Sequence, residues 1–246
     1  MYADDLILMS ASVVDLQSML DICHSVGCVL GIKFNSSKSK CILIGPNLTI
    51  HPSDLLIGNS KIPWVNELNY LGITLTTSKS FHIDLTLIRK KIFISVNSIL
   101  SKCTFTNDMV KLRLLESQCL PILLYATESL KLPISQISEL NACWNSVYRK
   151  IFGFHKWESV RSLIHMLGRL DLIHIINLRS LSFIKRITDS PHISERTKYY
   201  LNNVYNISGE CISLFRTYNC DIGMSISKIS YMINNDFSLS CDDSNH

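Results

Sequence analysis

The chain has 246 residues, of which 47% are apolar and 18% charged, and its net charge is +4. This is long and apolar enough to bury a core in one large domain or two small ones. The start of the chain is acidic, and the longest uncharged apolar run, residues 120–126, is too short to span a bilayer. Neither secretion nor a membrane span is therefore expected, and nine cysteines without a CxxC pair favour an intracellular protein of the nucleus or cytoplasm.

The first 80 residues carry short apolar segments separated by turn residues. Residues 1–9 predict two strands joined by an Asp-Asp turn. Ser12 then predicts the start of a helix, and Gly27 and Gly31 predict its end. Further extended segments are predicted as a short strand over 41–44, a hairpin over 55–64 and a strand over 70–75.

Beyond about residue 80 the apolar spacing becomes helical. Stripes at helical spacing begin at Leu85, Leu112 and Leu140. More helices are predicted over 159–168, 172–188 and 193–203, and the polar end of the chain is expected to be disordered. The predicted fold class is α+β, with a small β-rich part followed by a mostly α-helical region.

Charge is concentrated in the middle of the chain. Residues 89–186 hold 15 Lys and Arg against 6 Asp and Glu, a net charge of +9, whereas residues 1–88 carry −2 and residues 187–246 carry −3. This asymmetry is typical of proteins that bind a polyanion, although an ordinary solvated helical surface has the same composition.

The segment Tyr2-Ala3-Asp4-Asp5 is the sharpest candidate for chemistry. Polymerases transfer nucleotides with two divalent metal ions, and carboxylates hold such ions while leaving positions for water and phosphate. Two adjacent aspartates at the tip of a hairpin would present their oxygens at one place. An Asp-Asp turn is also an ordinary hairpin turn, so the segment needs support from its surroundings.

Four further segments follow in a meaningful order. They are Gly31 to Lys40 with its Lys-Ser-Lys, Asn69-Tyr70-Leu71-Gly72-Ile73, and Pro121 to Glu128 followed by Trp144 to Gly153. Together with Tyr-Ala-Asp-Asp this order resembles the reverse transcriptases of non-LTR (LINE-type) retrotransposons. Ala126 stands where that family usually has glycine. The resemblance covers residues 1 to about 188.

The resemblance implies an RNA-directed DNA polymerase that uses Mg²⁺ or Mn²⁺ and works on an RNA template and a DNA primer. It divides the chain into a palm remnant over 1–78, thumb helices over 79–130, a helical C-terminal region over 131–233 and a disordered tail over 234–246. Asp4 and Asp5 would be catalytic metal ligands. Tyr2, Lys38, Lys40 and the strand residues Tyr70, Leu71 and Gly72 would contact the nucleotide or the primer.

The resemblance also assigns the basic residues of the middle region to nucleic acid, in particular Arg89, Lys90, Lys91, Arg149 and Lys150. Aromatic side chains lie nearby in sequence, and aromatics can stack on sugars or unpaired bases. They are Phe93, Trp144, Tyr148, Phe152, Trp157 and Phe183. Trp144 and Tyr148, at i and i+4, are more typical of a helix core.

A further catalytic carboxylate and a fingers region precede the Asp-Asp turn in this family, and only Met1 precedes Tyr2 here. Two carboxylates make a poor Mg²⁺ site, so the isolated chain is expected to bind no metal and not to polymerise DNA. Two alternatives stay open. One is a non-catalytic nucleic-acid-binding helical module, and the other is a helical interaction protein without a nucleic-acid partner.

Overall fold

The chain divides into two units, residues 1–85 and 86–246. The computed structural model describes residues 4–46, 53–79, 83–128, 130, 132–191, 213–214, 216–220 and 223–242. In their described residues, the first unit holds one helix and two small sheets and the second unit is helical. The α+β class predicted from the sequence is therefore confirmed.

The first unit begins with helix α1 (Val13–Leu30). The Ser12 hydroxyl accepts a hydrogen bond from the Asp15 amide at 3.4 Å, and Gly31 closes the helix with a φ of 69°. Gly27 does not end the helix as predicted but is buried inside it. A Cβ at Gly27 would lie 2.9 Å from the Phe34 ring, so this glycine permits close packing rather than termination.

Two antiparallel hairpins follow α1. Strands β1 (Leu55–Ile57) and β2 (Ser60–Ile62) pair as the sequence predicts. The expected strand over 41–44 is reduced to two isolated bridges, from Cys41 to Trp64 and from Ile44 to Ser78. The second sheet contains strands β3 (Glu67–Tyr70), β4 (Ile73–Thr76) and β5 (Ile83–Asp84), in that order.

The core of the first unit forms where α1 packs against β1. Gln17 on α1 secures this contact, because its amide donates to the Leu56 carbonyl at 2.9 Å and accepts from the Leu56 amide at 2.8 Å. The Gln17 side chain thereby pairs the backbone N–H and C=O of Leu56 on the free edge of β1. The buried residues of this core are Leu20, Leu55, Ile57 and Ile62.

The outward face of α1 is apolar as well. Val14, Ile22 and Val29 are 74%, 63% and 83% exposed. In the described part of the chain, α1 is the one helix whose length and composition would suit a membrane span, although only 11% of it is buried. The search for long uncharged apolar runs in the sequence did not find this helix, because Asp15 and Asp21 interrupt its apolar residues. Length and composition are shared by membrane spans, signal sequences and core helices, so they do not decide between these.

The described part of the second unit is built from helices. In chain order these are α2 (Thr86–Lys102), α3 (Asp108–Gln118), α4 (Leu120–Leu123), α5 (Ile134–Phe152), α6 (Arg161–Met166), α7 (Leu172–Asp189) and α8 (Ile226–Asp242). Helices α2 to α5 carry the apolar stripes predicted from the sequence, and these stripes form much of the core of the second unit. Their members Ile92, Val96, Leu112, Leu115, Cys119, Leu123, Leu140, Trp144 and Val147 are all at most 1% exposed.

The end of the chain differs from its prediction. Residues 234–242 belong to α8, which packs against α6 and α7, so the expectation of a disordered tail is wrong for them. Ile229, Ile233, Phe237 and Cys241 follow each other at four-residue intervals and are at most 2% exposed. Residues 243–246 and the helix predicted over 193–203 lie outside the described residues.

Candidate functional site

Asp4 and Asp5 are both exposed. Residues 6–10, which follow them, have no regular secondary structure, so the predicted strand over 6–9 is wrong. Leu8 instead packs against the buried core of the first unit. Tyr2 lies outside the described residues.

The described residues around Asp4 and Asp5 do not fit a complete divalent metal site. In the described part of the chain no group of three or more His, Cys, Asp or Glu side chains could hold a metal ion. Asp4 and Asp5 alone leave most of the octahedral positions of Mg²⁺ without a protein ligand. Asp4 and Asp5 alone therefore do not support a two-metal reaction.

Lys38 and Lys40 lie in an exposed turn after α1. The Asn35 side-chain oxygen accepts hydrogen bonds from the Ser37 amide at 3.1 Å and the Lys38 amide at 3.3 Å. Asn35 thus shapes the turn that carries Lys38. Among the described contacts, no hydrogen bond or ion pair joins either lysine to Asp4 or Asp5.

Tyr70, Leu71 and Gly72 form the tip of a hairpin and not a single strand as predicted. Tyr70 pairs with Ile73, which leaves Leu71 and Gly72 as the two turn residues. Their φ angles are 48° and 79°. Two successive positive φ angles are typical of the tight turns whose twist matches paired strands. The extended pattern over 70–75 did not reveal this reversal because Leu71 is an unusual turn residue.

Lys90 and Lys91 are exposed on α2, whose opposite side buries Ile92 and Val96. Arg89 is also on α2, and its guanidinium pairs with Glu139 of α5. Both side chains of that ion pair are partly exposed. Of the three basic residues predicted on α2, the two lysines therefore present their charge to solvent, whereas Arg89 ties two helices together.

Lys150 on α5 is held against the same helix. Its Nζ donates to Asn97 Oδ1 at 2.9 Å and lies 5.6 Å from the centre of the Phe93 ring. Phe93 and Asn97 follow Lys90 by three and seven residues, so they lie on its side of α2. We call Lys90, Lys91, Arg149 and Lys150 the basic surface.

Arg149 anchors the loop that follows α5. Its Nε donates to the Glu158 carbonyl at 2.9 Å, while the Glu158 carboxylate accepts from the His155 amide at 2.5 Å. These bonds close a turn whose two central residues, Lys156 and Trp157, are exposed. The Lys156 ammonium lies 4.9 Å from the centre of the Trp157 ring.

Three aromatic residues of this region differ sharply in burial. Trp144 and Tyr148 are each 1% exposed and meet edge to face at 6.1 Å, as core residues do. Trp157 is 87% exposed. Its polar neighbours His155, Lys156 and Glu158, placed after the helix-ending Gly153, were the sequence signal for this difference.

A buried polar cluster joins α7 to α8, and the sequence reasoning missed it. His174 Nδ1 lies 2.6 Å from Asp171 Oδ1, and His174 Nε2 lies 3.3 Å from Asp236 Oδ2. Burial raises the pKa of Asp171, but its hydrogen bonds with His174 and its attraction to His174 and Arg161 outweigh burial, so the pKa lies below its usual value. The available signal was an aspartate before a helix with a histidine three residues later.

A shallow cavity of about 370 Å³ lies between the helices of the second unit. The ion pair of Arg169 and Glu116, at 2.7 Å, forms part of its wall together with Trp144 and Tyr148. Burial raises the pKa of the Tyr148 hydroxyl, which keeps it neutral. None of the residues predicted for chemistry or nucleic-acid binding lines this cavity.

Comparison of the chain with protein-family models, with curated proteins and with solved structures gives no match.

Proposed function

We propose that the chain is the C-terminal part of a LINE-type reverse transcriptase and that its own activity is to bind nucleic acid through the basic surface. The order of the Tyr-Ala-Asp-Asp, Lys-Ser-Lys, Tyr-Leu-Gly and Pro-to-Glu segments supports the family. Lys90 and Lys91 are exposed on α2, and Lys90 lies on the side of that helix where Lys150 is held over Phe93; this is the observation that carries the binding activity.

The basic surface suits a phosphate backbone. Lysine and arginine side chains release condensed counterions when they neutralise phosphates, and this drives binding without regard to sequence. Lys150 is held by Asn97 and Phe93, so its ammonium stays at one place on the surface. Nucleotidyl transfer would need metal ligands in addition to Asp4 and Asp5, as it uses two metal ions.

Salt-dependent binding tests this proposal. The full chain should bind a labelled duplex, measured by fluorescence anisotropy, and lose affinity steeply between about 50 and 200 mM salt. Replacing both Lys90 and Lys91 by Ala should weaken binding to all sequences alike and reduce the slope of log affinity against log salt by about two.

The matched control is Lys33→Ala with Lys228→Ala. Both residues are exposed and neither belongs to the basic surface, so this pair removes the same charge. It should leave the slope unchanged. If the chain binds no nucleic acid at low salt, or if both double variants behave alike, nucleic-acid binding through this surface is wrong and the alternative of a helical interaction protein is favoured.

A further inference from the structure

The loop after α5 presents one aromatic ring at a fixed place. Glu158 closes the turn twice, since its carbonyl accepts from Arg149 and its carboxylate accepts from the His155 amide. A third bond, from the Glu158 amide to the His155 carbonyl at 3.1 Å, completes it. The two residues at its tip, Lys156 and Trp157, are therefore held out from the helix end.

The ring of Trp157 is unusually accessible for its size. It is 87% exposed, whereas Trp144 is 1% exposed and Trp64 is half-buried. The Lys156 ammonium lies over the ring at 4.9 Å from its centre. Because the ammonium covers one face, a base would stack on the other face of the ring, and the cation would then be available for the phosphate.

Basic residues flank this ring together with one carboxylate, that of Glu158, which accepts from the His155 amide. Arg149, which holds the turn, belongs to the basic surface, and Lys150 follows it on the last turn of α5. The turn is thus continuous with the basic surface through a hydrogen bond and not merely close in sequence. An anionic ligand that binds Arg149 of the basic surface would therefore lie next to the turn that carries Trp157.

We propose that Trp157 is a stacking platform for an unpaired base of single-stranded DNA or RNA. This rests on the proposed binding through the basic surface and adds to it the form of the ligand. A base inside a duplex is already stacked on both sides, so a protruding ring engages bases that are unpaired. The phosphate on such a nucleotide then lies near Lys156 and Arg149.

Tryptophan fluorescence of the full chain tests the proposal. Titration with a single-stranded oligo(dT) should quench the emission, because the exposed Trp157 stacks while the buried Trp144 does not. Trp157→Ala should weaken single-strand binding by about 5- to 150-fold, measured by anisotropy of the labelled oligonucleotide. Duplex binding by the same variant should change by less than about twofold.

Two variants separate stacking from folding. Trp157→Phe should keep single-strand affinity within about threefold of the original chain, since a phenyl ring also stacks, while the quenching disappears. Phe105→Ala removes a fully exposed aromatic residue from the same unit outside the turn and should change neither affinity nor quenching.

The outcomes distinguish the two proposals. Loss of all binding at low salt would overturn the proposed function. Normal duplex binding with a single-strand affinity that Trp157→Ala leaves intact would overturn the stacking platform alone. A shift of tryptophan emission with phosphatidylserine vesicles, but not with oligo(dT), would identify the tip as a membrane contact and overturn it as well.

Discussion

Asp171 is a buried carboxylate with several partners. It caps α7 by accepting from the His174 amide at 2.9 Å and also contacts the His174 ring. Arg161 of α6 adds a favourable charge, while Asp236 of α8 lies on the far side of the imidazole. The contacts within Asp171 to His174 follow from local spacing, but Asp236 is 62 residues away from His174, and no local pattern in the sequence predicts that approach.

The depressed pKa of Asp171 makes part of the stability depend on pH. A carboxylate with a lower pKa in the folded state stabilises the fold above its unfolded pKa of about 3.9, and this contribution is lost as the pH falls through the folded value. Asp171→Asn keeps a helix cap but removes the charge, so it should lower the free energy of unfolding at pH 7 by roughly 1 kcal/mol.

Urea unfolding at pH 7 and near pH 3 measures this effect. The difference between the original chain and Asp171→Asn should shrink as the pH falls, because Asp171 becomes protonated first in the unfolded chain, which removes the advantage of its lower pKa in the fold. A difference that is equally large at both pH values would show that the charge of Asp171 does not contribute.

Helix α8 shows what element-scale patterns predict and what they hide. Its composition is rich in Ser and Asn, which have weak helix propensity, so composition alone predicted disorder. The four-residue spacing of its buried side chains was the better guide. The hairpin tip at Leu71 and Gly72 shows the reverse case, since local apolar pattern predicted a strand where the chain turns.

Phe237 and Leu239 provide a matched pair on α8. Phe237 is 1% exposed and its ring lies 4.9 Å from that of His174, whereas Leu239 is 59% exposed. Phe237→Ala should destabilise the second unit by about 3 to 5 kcal/mol because a buried ring leaves a cavity. Leu239→Ala should change stability by less than about 0.5 kcal/mol, as surface substitutions do.

Chemical unfolding followed by circular dichroism compares the two variants. Equal effects of the two substitutions would mean that α8 does not pack on α6 and α7 through the Phe237 face.

At the scale of the whole molecule, the sequence predicted the α+β class and the helical core, since both depend on spacing along the chain. The predictions did not separate the exposed Trp157 from the buried Trp144, although the polar neighbours of Trp157 after Gly153 were a local signal for its exposure. The family, the metal and the nucleic-acid partner stay predictions, supported by ordered motifs and by charge.

Primer extension addresses the catalytic half of that prediction. With an RNA template, a DNA primer and either Mg²⁺ or Mn²⁺, the 246-residue chain should extend no primer, because Asp4 and Asp5 lack further ligands in the described residues. Asp4→Asn with Asp5→Asn is the control for contaminating polymerase. Extension by the original chain that this double variant abolishes would contradict the expectation and assign catalysis to the pair.

The doubly closed turn around Glu158 has a consequence for the entropy of binding. A ring on an unstructured loop loses backbone freedom when a ligand immobilises it, at roughly 1 to 2 kcal/mol for each residue fixed. The backbone of His155 to Glu158 is already ordered by three hydrogen bonds. A ligand on Trp157 would therefore mainly restrict side-chain torsions, so more of the contact energy remains as affinity.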